Sequence, residues 1–310
     1  MIIQTGNRTD IPAFYSEWFI NRLKEGYVLV RNPFNPQSVT RYTLDPAVVD
    51  LLVFCSKNPR PMLKYMDLLS AWRQYWFVTI TPYGKELEPN VPDKSKVMET
   101  FRQLSSVTGP GNMCWRFDPI LIDETWTTDR HIEAFWEICE VLEGSTHTVV
   151  ISFIDLYEKV KRNFPEARTV PFHTQLALTE AFVDIGKEHG MTIKPCGESR
   201  KLAAVGADCS GCMTQSVFEA AVGQNLILPA NPNNRRECAC YIAGDIGAYN
   251  TCGHLCRYCY ANADRTAVMK AMKQHDPLSP MIIGHLQPGD RISTPKQTSW
   301  IDPQMRLDLL

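Results

Sequence analysis

Short runs of apolar, β-branched and aromatic residues recur along the first two-thirds of the chain, and each run is followed by a longer segment with helical periodicity. Nearly all of the runs are apolar at consecutive positions, which is typical of parallel strands covered on both faces. They predict strands at I-I-Q-T (2–5), Y-V-L-V (27–30), L-L-V-F (51–54), Y-W-F-V-T-I (75–80), M-C-W-R-F (113–117), V-V-I-S-F (149–153) and M-T-I-K (191–194).

The intervening segments carry helix signals. An apolar stripe that includes Phe14 and Trp18 ends at Gly26, and Thr9 or Asp10 can cap its start. Strand and helix therefore alternate in seven units, and a weak eighth unit is centred on residues 207–208. Repeated β–α units with right-handed crossovers predict an α/β fold, a (β/α) TIM-like barrel, with a doubly wound open sheet as the alternative.

The pattern changes near residue 223, where Asn, Pro, Gly and Cys replace the regular alternation. We therefore predict two regions. Residues 1–222 would form the (β/α) barrel, and residues 223–310 an irregular, cysteine-rich iron–sulfur extension packed on the barrel mouth. By the barrel mouth we mean the end of the barrel at which the carboxyl ends of the strands lie. The loops that follow parallel strands converge there.

Composition narrows the class of protein. The 310 residues are 44% hydrophobic and 21% charged, with a net charge of -2. The N-terminal residues do not show the basic, apolar and small-residue regions of a secretory signal peptide. No apolar run approaches the ~20 residues that cross a bilayer. The sequence therefore predicts a cytoplasmic protein that does not bind membranes. No P-loop motif is present, and no G-x-G-x-x-G motif follows the first predicted strand, so the sequence does not support nucleotide binding through either motif.

Eight of the eleven cysteines lie between Cys196 and Cys259. Because cytosolic thiols are kept reduced, this density predicts metal binding or thiol chemistry rather than disulfides. The scattered Cys55, Cys114 and Cys139 lie in apolar surroundings and are expected to be buried small hydrophobes.

Charged residues follow the predicted strands. Asparagine and proline at these positions are ordinary turn residues. Turns account less well for the recurring charges, which are costly in a crowded site unless they are paired or bind a ligand. The charges predict a polar ligand site at the barrel mouth, with these candidate residues: Arg8, Asp10, Arg31, Lys57, Arg116, Asp118, Asp155 and Glu198.

The run C-G-H-L-C-R-Y-C gathers Cys252, Cys256 and Cys259, with Tyr258 before the last cysteine. A structural zinc normally has four protein ligands, whereas three thiolates leave a coordination position open on a cluster or catalytic metal. His254 offers a fourth ligand and hence a Cys3His zinc site as the alternative.

A second group of cysteines lies outside this run. Cys196, Cys212, Cys238 and Cys240 predict a further metal site, either zinc or a second iron–sulfur cluster, and Cys209 is its weakest member.

The C-x3-C-x2-C run with its aromatic residue resembles the signature of radical SAM enzymes, in which three cysteines bind a [4Fe–4S] cluster and S-adenosylmethionine (SAM) chelates the fourth iron. Residues 1–282 resemble an uncharacterised bacterial family, the domain of unknown function 1848 family. The strings that carry this are R-T-D-I-P-A-F-Y-S-E-W-F, V-R-N-P-F-N-P, S-K-N-P, T-P-Y-G, E-P-N-V-P-D-K, W-R-F-D-P-I, I-S-F-I-D-L-Y, D-I-G-A-Y-N-T-C-G-H-L-C-R-Y-C-Y-A-N and H-D-P-L-S-P. The motif departs from radical SAM enzymes because it follows the last strand, and the second strand lacks a glycine-glycine-glutamate motif.

The resemblance implies an enzyme that takes electrons from a donor, cleaves SAM to a radical and acts on an unknown polar substrate. In that scheme Arg8, Arg116, Asp118 and Asp155 position substrate or SAM, and Glu198 is a candidate for a hydrogen bond to SAM.

Two other classes of protein stay open. One is a non-catalytic binding protein in which zinc or a cluster holds the C-terminal extension over the barrel. The other is nucleic-acid binding through Tyr258, Tyr260 and nearby basic residues: Arg235, Arg236, Arg257, Arg265, Lys270 and Lys273.

Overall fold

The computed structural model describes residues 1–230, 238, 240–241 and 244–304. The strands are β1 (Ile2–Gln4), β2 (Tyr27–Arg31), β3 (Ser38–Thr43), β4 (Leu51–Ser56), β5 (Gln74–Thr79), β6 (Met113–Ile120), β7 (Thr148–Phe153), β8 (Thr192–Pro195), β9 (Gly244–Asp245) and β10 (Arg291–Ser293). The helices are α1 (Ile11–Phe14), α2 (Ser16–Glu25), α3 (Met66–Leu69), α4 (Lys94–Thr108), α5 (Thr128–Leu142), α6 (Glu158–Asn163), α7 (Phe172–Glu188), α8 (Gln215–Val222) and α9 (Arg265–Met272). Turns of 3₁₀ helix span Arg60–Tyr65, Pro110–Asn112 and Arg200–Val205.

A parallel sheet forms the centre of the fold. Its seven described strands lie in the order β8-β7-β6-β5-β4-β1-β9, and each neighbouring pair is parallel. From β4 to β8, the strands follow one another across the sheet in chain order, as successive β–α–β units do. The predicted α/β class with a parallel sheet is therefore confirmed.

The TIM-like barrel is not shown. Among the described residues the sheet does not close, because β8 and β9 stand at its two edges and pair only inward, with β7 and β1. The weak eighth unit expected around Ala207 and Asp208 is a loop, and β9 takes the remaining edge instead. β9 consists of Gly244 and Asp245 alone, so it has no apolar run that the sequence pattern could reveal.

The run at 27–30 is a strand, but it does not belong to the parallel sheet. β2 pairs antiparallel with β3, and β10 adds to β3 to form a separate three-stranded sheet. Only residues 32–37 connect β2 to β3. A connection that short permits a hairpin, whereas a parallel pair requires a crossover of about a dozen residues or more.

Both faces of the parallel sheet are apolar, and different elements cover them. The first face, which includes Phe54, Trp76 and Trp115, packs against the helices. Phe54 lies edge-on to Phe19 of α2, and Trp115 stacks on Phe135 of α5 with 4.8 Å between ring centroids. This packing explains why the strand runs are apolar at consecutive positions.

The second face is covered from within the chain's C-terminal third. Its residues include Ile2, Leu51, Val53, Tyr75, Phe77, Cys114 and Val150, and they pack with Met213, Phe218, Val222 and Leu226. In a closed barrel, strand side chains alone would fill this space. Here α8 and its flanking residues pack on this face, as expected of an open sheet that is covered on both sides.

The helix signals near the N-terminus are present with one change. Asp10 Oδ1 accepts a 3.0 Å hydrogen bond from Ala13 N and caps α1, and Gly26 ends α2 with a positive φ of 74°. The predicted single helix is broken at Tyr15 into α1 and α2.

The predicted boundary between residues 222 and 223 stays a prediction. No helix in the described part of the chain is long and apolar enough to cross a membrane.

Because Phe218 is fully buried on the second face, Phe218→Ala should lower the free energy of unfolding by about 3–5 kcal/mol. Phe34→Ala is the control, since Phe34 is 90% exposed, and its effect should stay within about 0.5 kcal/mol. Urea unfolding followed by tryptophan fluorescence measures both. Equal effects would contradict the assignment of α8 as the cover of this face.

Candidate metal and ligand site

The segment of residues 251–262, which we call the cysteine loop, lies across the carboxyl ends of several strands. Tyr15 OH donates a 2.6 Å hydrogen bond to Thr251 O, and Asn90 Nδ2 donates a 2.8 Å bond to Gly253 O. Tyr260 OH donates to Asn7 O, which follows β1. The loop is therefore held by the segments that follow β1 and β5.

The three thiols of the loop lie near enough to influence one another, and Cys256 is buried whereas Cys252 and Cys259 are half-buried. Burial raises the pKa of Cys252 well above its usual value, and Asp10, Cys259 and Cys256 raise it further. Burial also raises the pKa of Cys256 to about 12, although Lys57 opposes the shift. Burial likewise raises the pKa of Cys259. Binding of a metal or cluster here would therefore release protons, because the ligands are thiolates.

Asp10 connects the cysteine loop to the sheet. Its carboxylate is buried and accepts four hydrogen bonds: from Ala13 N (3.0 Å), Ser56 Oγ (2.7 Å), Lys57 N (2.7 Å) and His254 Nε2 (2.8 Å). These four contacts hold the cysteine loop against the end of β4, and the predicted role of Asp10 in the polar ligand site stays a prediction.

His254 is occupied on both ring nitrogens. Nε2 meets Asp10, and Nδ1 lies 3.3 Å from Asn90 O. Donation from Nε2 to the Asp10 carboxylate leaves the lone pair of a neutral ring on Nδ1, and metal-binding histidines commonly make such a carboxylate contact through their other nitrogen. The Cys3His zinc alternative therefore stays open.

A buried charge cluster lies beside Cys256, and the sequence analysis missed its centre, Glu88. Lys57 Nζ and Thr81 Oγ1 each lie 2.7 Å from Glu88 Oε1, and Lys94 and Tyr258 also donate to this carboxylate. Burial opposes ionisation, but the two lysines outweigh it and hold the pKa of Glu88 at about 2. Lys57 and the E-P-N-V-P-D-K string follow neighbouring strands, which is the signal that could have revealed the cluster.

Tyr258 is part of this cluster and is only 8% exposed. Its ring is therefore not available for base stacking, whereas Tyr260, the other tyrosine of the nucleic-acid hypothesis, is 45% exposed. Arg257 pairs with Glu166 and stacks over Phe164 at 4.6 Å. Arg235 and Arg236 lie outside the described residues.

The charged residues predicted at the strand ends separate into different groups. Arg8 Nε lies 2.6 Å from Asp245 Oδ2, at the end of β9. Arg31 pairs with Asp290, and it belongs to the small sheet rather than to the parallel one. Asp118 pairs instead with Arg116, so these two arginines do not belong to its group.

Arg116, Asp118, Asp155 and Glu198 form the second group. Arg116 Nε donates a 3.0 Å hydrogen bond to Asp118 Oδ2, and Ser152 Oγ donates to the other oxygen of this carboxylate. Asp155 accepts a 3.0 Å bond from Tyr157 OH. Phe153 N donates a 2.8 Å bond to Glu198 Oε1.

Glu198 is the titratable member of this group. Burial raises its pKa to about 7, and nearby Asp155, Cys196 and Asp118 add to the shift, while the hydrogen bond from Phe153 N opposes it. A carboxyl group with this pKa exchanges protons near neutral pH, which is the property of a general acid or base.

The second group of cysteines comes together at the end of β8. Cys212 Sγ lies 3.5 Å from Cys196 Sγ and 3.3 Å from Cys240 Sγ. Cys238 and Cys209 line the same small cavity. Hydrogen bonds from Cys212 and Cys240 lower the pKa of Cys196 well below its usual value, and Arg116 contributes to this shift.

Neither cysteine group is a preformed metal site. Throughout residues 1–230, 238, 240–241 and 244–304, no group of three or more histidine, cysteine, aspartate or glutamate side chains is already arranged to hold a metal ion.

The chain belongs to a family defined by a domain of unknown function, DUF1848, whose sequence model matches residues 2–261. The match covers the parallel sheet, the charge cluster and all three cysteines of the cysteine loop. No curated protein matches the chain significantly.

The buried ion cluster predicts a strong effect of charge removal at residue 88. Glu88→Gln leaves Lys57 and Lys94 without their counter-charge, and we expect the free energy of unfolding to fall by about 3–5 kcal/mol near neutral pH. Glu86→Gln, two residues away and exposed, is the control and should cost no more than about 1 kcal/mol. Chemical denaturation of the three proteins measures these differences.

The difference between wild type and Glu88→Gln should depend on pH with a defined sign. The pKa of Glu88 is lowered from 4.5 to about 2 by folding, so its ionic stabilisation is complete above pH 4.5 and is lost as pH falls towards 2. An advantage of wild type that grows on acidification would contradict this assignment.

Proposed function

We propose that the chain is an iron–sulfur protein with radical SAM-like enzymatic activity on a polar substrate. The observation that supports this best is the position of the cysteine loop, whose three thiols gather where the carboxyl ends of parallel strands converge. Ligand sites of parallel α/β folds lie at that edge of the sheet.

The donor set fits a [4Fe–4S] cluster on Cys252, Cys256 and Cys259. In this proposal His254 stays hydrogen-bonded to Asp10, and the three thiolates would hold three irons and leave one iron open. Thiolate ligands add negative charge, and Lys57 and Lys94 offset it beside Cys256 because together they exceed the single charge of Glu88. When bound and reduced, such a cluster supplies the electron that cleaves SAM.

The residues near the cysteine loop have separate roles in this proposal. Arg116 and Asp118 bind the polar groups of substrate or SAM, and Glu198 holds or moves a proton. Asp10 and His254 keep the loop in register with β4, and Arg8 anchors β9 through Asp245. A reducing partner protein or small electron donor is also required.

Metal content tests the first half of the proposal. After anaerobic reconstitution with iron and sulfide, the chain should hold about four irons at the cysteine loop and absorb broadly in the visible range. Cys256→Ala should abolish the absorbance, and Cys139→Ala, at a buried cysteine of α5, should retain it. Stoichiometric zinc without sulfide at this loop would contradict the cluster.

Cleavage of SAM tests the second half. Reduced, cluster-loaded protein should convert SAM slowly to 5′-deoxyadenosine even without substrate, because the open iron binds SAM directly. Cys259→Ala should form no product, and Cys139→Ala should behave as wild type. Intact SAM in the presence of a demonstrably reduced cluster would contradict the enzymatic activity.

The second candidate function is a non-catalytic binding protein in which the metal has a structural role and holds the cysteine loop in place. The contacts that favour it are those that tie the cysteine loop to distant parts of the chain. His254 meets Asp10, Tyr258 meets Glu88, and Arg257 meets Glu166. A metal in the loop would then secure these contacts over a polar ligand at Arg116 and Asp118.

A further inference from the structure

We infer that Cys196, Cys212, Cys238 and Cys240 bind one tetrahedral metal ion of the zinc class, in a closed structural site separate from the cysteine loop. This site does not depend on the proposed function. Its first support is proximity, since sulfurs from three separate segments meet. Cys212 Sγ contacts both Cys196 Sγ (3.5 Å) and Cys240 Sγ (3.3 Å).

The spacing of the sulfurs suits a single ion. Four thiolates around zinc, with Zn–S bonds of about 2.3 Å, have sulfurs about 3.8 Å apart. The observed separations of 3.3 and 3.5 Å are slightly shorter, as expected of thiols that hydrogen-bond to one another. The sulfurs need to move apart by only a few tenths of an ångström to admit an ion, whereas a four-iron cube would require a much larger expansion.

Cys238 supplies the fourth sulfur. It lines the same small cavity as Cys196, Cys212 and Cys240, and it hydrogen-bonds to Cys240. Cys209 also lines the cavity, but the groups that influence its thiol are Asp208, Ala203 and Arg200 rather than the other cysteines. The structure thereby separates the four candidate ligands from a neighbouring cysteine.

The surroundings provide the outer contacts that a four-thiolate site needs. Such a site carries a net charge of about -2, and the Arg116 guanidinium, only 15% exposed, donates to Cys196. Met213 N lies 3.3 Å from Cys240 Sγ and donates a backbone hydrogen bond to it. Groups that hydrogen-bond to ligating atoms orient them and tune the metal.

The position of the site indicates its role. Cys196 directly follows β8, Cys212 lies shortly before α8, and Cys240 lies shortly before β9. One ion would therefore tie the segments next to both edge strands to the helix that covers the second face of the sheet. With all four positions taken by thiolates, the metal has no open position for substrate, so it stabilises structure rather than catalysing a reaction.

Zinc itself is the probe for this inference. Full-length protein produced with zinc should retain about one zinc per chain after dialysis. Cys212→Ser should reduce zinc retention roughly tenfold or more, whereas Cys209→Ser should not. The Cys252, Cys256 and Cys259 triple alanine variant should keep its zinc, which distinguishes this site from the cysteine loop even if the cluster there is never formed.

A measurement on wild type covers the case in which Cys212→Ser does not fold. X-ray absorption at the zinc edge should show four sulfur ligands at about 2.3 Å. Nitrogen or oxygen ligands, zinc retention unaffected by Cys212→Ser in folded protein, or a Cys212 disulfide found by alkylation and mass spectrometry in metal-free protein would each overturn the inference.

Discussion

The two apolar faces of the parallel sheet are the constraint on which the rest of the structure depends. A sheet that is apolar on both sides must be covered on both sides, because exposed apolar surface is unfavourable in water. The helices bury one face through contacts such as Phe19 on Phe54. The other face is buried by α8 and the residues around it. This second cover brings Cys212 and Met213 to the sheet, and with them the second group of cysteines.

The same parallel arrangement concentrates polar groups at one edge. Charged or hydrogen-bonding residues stand at or just after the ends of several strands, such as Ser56 of β4 and Asp245 of β9, and they must find partners because the edge is crowded. Asp10 accepts hydrogen bonds from four donors in three parts of the chain. Glu88 pairs with two lysines, one that follows β4 and one that begins α4. The cysteine loop is held in place by these two carboxylates, through His254 and Tyr258.

The two cysteine groups differ in ways that follow from their surroundings. The loop group offers three thiols beside a net positive cluster, with its one histidine already bonded to carboxylate and carbonyl oxygens. The second group offers four thiols whose sulfurs are in mutual contact, with Arg116 beside them. Arg116 also bonds to Asp118, so one guanidinium connects the closed group of thiols with the carboxylates of the polar site.

The sequence by itself determined the local properties of this protein. Apolar runs such as L-L-V-F located β4 because both faces of that strand are buried, and Asp10 and Gly26 marked helix ends. The spacing of Cys252, Cys256 and Cys259 placed three candidate ligands on one loop. Tertiary structure decided what depends on distant segments. The short turn at residues 32–37 diverted β2 into another sheet, and α8 filled the face that a closed barrel would have lined. The two residues of β9 became a strand only by pairing with β1. Glu88 acquired Lys57 and Tyr258, and Arg116 acquired Cys196, in the same way, because groups far apart in the chain interact only after the strand ends have been brought together.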